Sequence, residues 1–298
     1  MGGEPSAVAM ECGWEQLTLA FSRVSMFPFF DIAHYLVSVM TLRQQLGAIA
    51  VAWQSPLISW FSAMMHCFGG GILSAFLLGE APIKFLDNNT NVLLASSVWY
   101  IVFYCPYDIV SECYRFPPVK LLAAGMKEVT RTWKIVGGIT HASSNYTDAW
   151  MVLVAVGWAR GAGGNVIVTL EQFLRGTWKP ETSKLLEISY PVKITLVGAV
   201  LFTLQHTEKL PIEKHNLMFC YTFFIVAMKI IMMLTECESS PLTPFEIMLS
   251  RMLFGFSQND TSAMPCNTLK PSFNGTSTSS IPCPTSIENK KKHNKKTE

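Results

Sequence analysis

The chain has 298 residues, half of them hydrophobic and only 15% charged, with a formal net charge of +2 and a mean hydropathy of +0.29. Soluble domains carry about a quarter charged residues, so this composition excludes an ordinary soluble domain and points to a membrane protein. Nothing in it suggests a nucleic-acid partner, and the eight cysteines contain no C-x-x-C pair, so neither a disulfide framework nor a metal site is expected.

The opening stretch "MGGEPSAVAMECGWEQLTLA" has acids and no basic segment, so no cleavable signal peptide is expected there. Seven spans follow, near Leu17–Leu42, Leu57–Leu78, Val92–Cys113, Val119–His141, Ala149–Phe173, Leu185–Gln205 and Leu217–Thr235. Each approaches the ~20 residues that cross about 30 Å of hydrocarbon. Residues 239–298 turn rich in Ser, Thr, Pro and Asn and are expected to be a disordered tail. Lys and Arg set the orientation. Arg43, Arg115, Lys120, Arg175, Lys179 and Lys184 fall in loops on the tail's side, together with the basic run "NKKKHNKK". The tail is therefore expected in the cytosol and residues 1–16 in the lumen. The chain closes on "KKTE", with Lys295 and Lys296 placed as a dilysine retrieval signal of endoplasmic reticulum membrane proteins.

A repeat is visible within the spans. "HCFGGGILSAFLLGEAP" in the second resembles "ARGAGGNVIVTLEQFLRGTWKP" in the fifth, each with a mid-span glycine cluster and a proline in the following loop. The repeat unit has three spans, and an odd number of crossings reverses direction. Residues 17–113 and 119–205 are thus expected to be two inverted three-helix repeats, with 217–235 as a seventh helix in an all-α membrane protein. Such an architecture serves channels and secondary transporters. Gly69, Gly70, Gly71, Gly161, Gly163 and Gly164 weaken two helices at matching depth, by about 1 kcal/mol per position. They are read as hinges of a pore, with close helix packing as the alternative.

The fourth span poses the main problem. Lys127, Arg131 and Lys134 fall at i, i+4 and i+7 and share one helical face. A cation facing lipid at mid-bilayer costs about 2.5–3.5 kcal/mol, whereas each large aliphatic returns about 0.3–0.6. The span's aliphatics supply roughly 2–4 kcal/mol against about 7 or more, so the basic face must avoid hydrocarbon. Glu128, three residues before Arg131, can neutralise part of it. A wet or phosphate-filled cavity on this face is therefore expected, with a structural ion-pair network as the alternative. Asp31 with His34, and Asp108 with Glu112, are lesser candidates near span ends, and His66 is read as a core histidine. No nucleophile–base set is present, so no enzyme is expected.

The segments "HCFGGGILS", "GMKEVTRTWKIVGGITHA", "GWARGAGG" and "SYPVKITL", with Lys127-Glu128-Val129 at their centre, resemble the trimeric intracellular cation channel family, type B in particular, across nearly all of residues 17–254. The resemblance implies a homotrimer in the endoplasmic or sarcoplasmic reticulum membrane, with one pore per protomer between its repeats. It implies potassium as the permeant ion, counter-ion current during calcium release and uptake, and a functional link to intracellular calcium-release channels. It also implies phosphatidylinositol 4,5-bisphosphate as a bound lipid at Lys127 and Arg131, and kinked pore-lining helices at the glycine clusters. A secondary transporter remains the rival reading of the inverted repeats.

Overall fold

The computed structural model describes residues 4–174 and 190–235, and these are helical with no strand among them. The expected tail, Lys295 and Lys296, and the first residues of the sixth span lie outside the described residues. Ten α-helices are α1 (Glu4–Ser22), α2 (Phe29–Arg43), α3 (Ala48–Gln54), α4 (Pro56–Leu78), α5 (Asn89–Tyr104), α6 (Ile109–Arg115), α7 (Pro117–Ser143), α8 (Trp150–Leu174), α9 (Tyr190–His206) and α10 (Lys214–Thr235).

Helix ends follow local chemistry. Proline at the first position opens α4 and α7, where its missing N–H costs nothing. Gly79 closes α4 in the left-handed conformation at φ 68°. The Asn88 side chain accepts from the Asn91 N–H at 3.2 Å and caps α5.

Two expected spans are not single helices. Leu17–Leu42 divides into α1 and α2, because Pro28 cannot donate to the preceding turn and Phe27 before it avoids helical backbone. The 15 residues of α2 reach only about 22 Å. Val92–Cys113 bends by 98° at Pro106, between α5 and α6. By length and composition α4, α8 through Glu171, and α10 can each cross a membrane, and the bent pair makes a fourth. The 27-residue α7 is long enough but carries the basic face.

The buried apolar side chains form two clusters. Tyr35, Val39, Met64, Ala95 and Val102 centre the first, from α2, α4 and α5. Ile135, Leu153, Val156, Ile194 and Ile225 centre the second, from α7, α8, α9 and α10. The two sets meet along two antiparallel contacts. In one, α4 residues of rising number touch α8 residues of falling number: Ser62 bonds Glu171, and Gly70 lies on Arg160. In the other, Lys127 and Lys134 of α7 reach Ser38 and His34 of α2 respectively.

Candidate functional site

The basic face of α7 turns inward. Lys127 Nζ lies 3.4 Å from Ser38 Oγ, and Lys134 Nζ lies 2.7 Å from His34 Nε2. That histidine nitrogen is also 3.1 Å from the Cys67 carbonyl oxygen, so α2 spans the distance between α7 and α4. Arg131 pairs with Glu128 at 3.0 Å, both side chains only 5% exposed, and donates to the Pro191 carbonyl at 3.3 Å. The i, i+3 neutralisation expected for Glu128 is therefore made, while neither lysine forms an ion pair among the described residues. The three cations line one cavity of about 40 Å³, together with His66, Gly70, Gly161 and Gly164 from α4 and α8. Burial of these charges in an apolar span is possible because their heads share polar partners and a small polar-lined cavity.

The glycine clusters sit where α4 crosses α8. A Cβ on Gly163 would lie 2.7 Å from Gly70 Cα and 2.9 Å from the Gly69 oxygen. A Cβ on Gly69 would lie 3.0 Å from Gly164 Cα, and one on Gly70 would strike the Arg160 carbonyl. Gly161 packs instead on Thr195 and Ile135, at 2.6 and 2.7 Å from its hypothetical Cβ. Gly71 differs, with open space around it. Both helices run uninterrupted through the clusters, so the glycines here permit close backbone approach.

Other expected residues scatter. Asp108 pairs with Arg43 at 2.7 Å and Glu112 with Arg115 at 2.7 Å, with Asp108 and both members of the second pair exposed, away from the cavity. His34 joins the site, whereas the cavity lining does not include Asp31. His66 is a buried group as expected, but it has a partner sequence reasoning did not supply: its Nε2 meets Glu171, whose other oxygen accepts from Ser62. Arg160 was missed outright. It lines the cavity with the α7 cations, and the rule that flagged those cations, an ionisable group within a span, applies to it equally.

Beyond the crossing, at the C-terminal end of α4, a second cavity of about 310 Å³ is lined by Glu80, Lys84, Asp87, His141 and Arg160. Glu80 binds His141 at 2.9 Å and Lys84 at 3.2 Å. Partial burial pushes its carboxyl up, but the hydrogen bonds from Lys84 and His141 outweigh this and hold it below its ordinary value.

The TRIC channel family model matches residues 45–236. Two relatives named trimeric intracellular cation channel type B, from Bos taurus and Homo sapiens, are 61% and 58% identical over 291 residues, covering 97% of this chain and 100% of each relative. A solved structure, described as the basis for activity of TRIC counter-ion channels in calcium release, has a TM-score of 0.70 at 61% identity and covers 74% of this chain and 99% of its own. A trimeric intracellular cation channel from C. elegans with bound Ca2+ gives a TM-score of 0.68 at 33% identity, over 74% of this chain and 97% of its own. The chain belongs to the TRIC family of trimeric intracellular cation channels.

Proposed function

We propose that this chain is a potassium channel of the endoplasmic or sarcoplasmic reticulum membrane, carrying counter-ion current while calcium leaves and re-enters the store. It works as a homotrimer with one permeation path per protomer, its N-terminus luminal and its tail cytosolic. The observation that carries this reading is the pair of antiparallel crossings, α4 on α8 and α2 on α7, around a polar cavity. Inverted three-helix repeats, 17–113 and 119–205, bring equivalent helices together in opposite directions, and such an axis is where ion paths run in membrane proteins. The relatives' names and descriptions support trimeric assembly, an intracellular membrane and a counter-ion role. The family is one of channels, which is not an enzyme class.

Lys127, Arg131 and Lys134 bind the phosphates of phosphatidylinositol 4,5-bisphosphate or a related anionic lipid, and this occupancy sets the gate. Among the described residues Glu128 pairs with Arg131 alone, so Lys127 and Lys134 leave positive charge that a bisphosphate headgroup neutralises. Gly69, Gly70, Gly163 and Gly164 hold α4 and α8 in backbone contact, and the path opens where the two helices part at this crossing. Purified protein in planar bilayers tests the channel reading: discrete unitary potassium currents are expected, and their absence from protein that assembles normally overturns it in favour of a transporter. Lys127→Gln weakens bisphosphate-lipid binding measured by native mass spectrometry, and unchanged binding removes the lipid role. Lys295→Ser with Lys296→Ser releases protein to the plasma membrane if "KKTE" is the retrieval signal.

A further inference from the structure

Arg160 occupies a position that the α7 cations do not. The central cavity of about 40 Å³ has four cationic side chains in its lining, Lys127, Arg131, Lys134 and Arg160, and no carboxylate among the described residues. The cavity at the C-terminal end of α4, about 310 Å³, carries Glu80 and Asp87 together with Lys84 and His141. Arg160 is the one described residue that lines both. It also borders a third, wider space between α1, α7 and α10.

Its placement is constrained on two sides. The Arg160 carbonyl lies against Gly70, so the main chain is seated on α4 and cannot retreat. Across from it, α7 offers Gly138, where a Cβ would come within 3.1 Å of Arg160 Cβ and 3.2 Å of its Cδ. The missing side chain at position 70 thus seats the arginine main chain on α4, and the missing side chain at position 138 leaves a slot for its stem against α7. Beyond the slot, Arg160 shares the second cavity with Glu80 and Asp87, and Glu80 is bonded there to Lys84 and His141.

We propose that Arg160 is a second charged constriction of the permeation path, one helix over from the α7 cations, dividing the central cavity from the vestibule that Glu80 and Asp87 line. This rests on the channel reading and, in the orientation given above, places the constriction on the luminal side. Asp87 and the part of the Glu80 charge that Lys84 and His141 leave uncompensated favour cations in the vestibule, and the guanidinium sets the barrier that those ions meet next. A permeating cation feels Arg160 as repulsion and Glu80 as attraction, so removing the two charges has opposite effects.

The test is single-channel recording of the purified full chain in symmetric potassium chloride. Arg160→Gln is expected to raise unitary conductance by about twofold or more, and Arg160→Lys to stay near wild type. Glu80→Gln is expected to lower conductance, and the double variant to resemble Arg160→Gln. Conductance unchanged in Arg160→Gln overturns the proposal, as does a fall matching that of Glu80→Gln, which marks a purely structural role. If Arg160→Gln does not assemble, Glu80→Gln decides alone, and unchanged conductance there overturns the proposal. Wild-type protein that gives no unitary currents overturns both this and the channel reading beneath it.

Discussion

The two halves of the molecule bury comparable sets of apolar side chains by different means. The first is assembled from shorter pieces: α3 and α6 have seven residues each, and proline begins the helical segment at Pro56, Pro82 and Pro106. Directed polar bonds tie these pieces together. Trp60 donates to Ser96 at 2.9 Å, Trp99 to Ser59 at 3.2 Å, and Tyr104 to the Ala52 carbonyl at 2.7 Å. The second half uses long helices held by close contact, with Gly157 and Gly161 receiving Ile139 and Ile135 from α7 and Gly198 receiving the Tyr221 ring. Without water to drive apolar association, a membrane protein holds helices by hydrogen bonds or by close van der Waals approach. Each half of this one leans on a different member of that pair, and they share the α4–α8 crossing.

The largest expected effect comes from breaking that shared crossing. Gly163→Leu puts a branched side chain into the backbone of α4, which cannot give way. No folded protein and no current are expected on size-exclusion chromatography and bilayer recording. Gly71→Leu, one residue from Gly70 but facing open space, is expected to leave assembly intact. If Gly163→Leu assembles normally and loses only its current, the glycines act as hinges more than as contacts.

Next in size is Arg131→Gln. It leaves the Glu128 carboxylate buried without its partner, at a cost of about 3–5 kcal/mol. Arg131→Gln with Glu128→Gln should recover most of the lost melting temperature without recovering lipid binding. Lys127→Gln should lower stability little, since the lysine's described bond is a 3.4 Å contact to Ser38. Equal destabilisation by both substitutions would mean the row of cations acts as one unit.

Smaller again is the clamp of the first half. Ser96→Ala keeps the Trp60 indole and removes the acceptor of its bond, which is worth about 1 kcal/mol. The loss should appear in thermal unfolding and leave the α4–α8 contact unaffected.

The smallest effect is one of pH. The Glu80 carboxyl is held below its ordinary value of 4.5 in the folded protein. Its contribution is therefore complete above that ordinary value and is lost as pH falls through the depressed one. Wild-type protein should lose more thermal stability on acidification below about pH 4.5 than Glu80→Gln does. Identical acid profiles would show that the links to His141 and Lys84 add nothing to the folded state.

Much of this was legible in the sequence, wherever the information is local. Composition placed the chain in a membrane, and apolar length located α4, α8 and α10 within a few residues. Helical spacing put Lys127, Arg131 and Lys134 on one face and Glu128 within reach of Arg131, because i, i+3 and i, i+4 neighbours meet in any α-helix. The family followed from motifs of the same local kind. What hydropathy could not report was which faces meet, since the rotation and crossing angle of two helices leave no trace in either helix alone. So Gly70 and Gly71 look alike in the chain, yet one lies on the Arg160 carbonyl and the other faces open space. His66 looks solitary until α8 brings Glu171 to it, about a hundred residues away. Arg160 looks like one more residue beside a glycine motif, and only the packing of α8 between α4 and α7 sets it between two cavities.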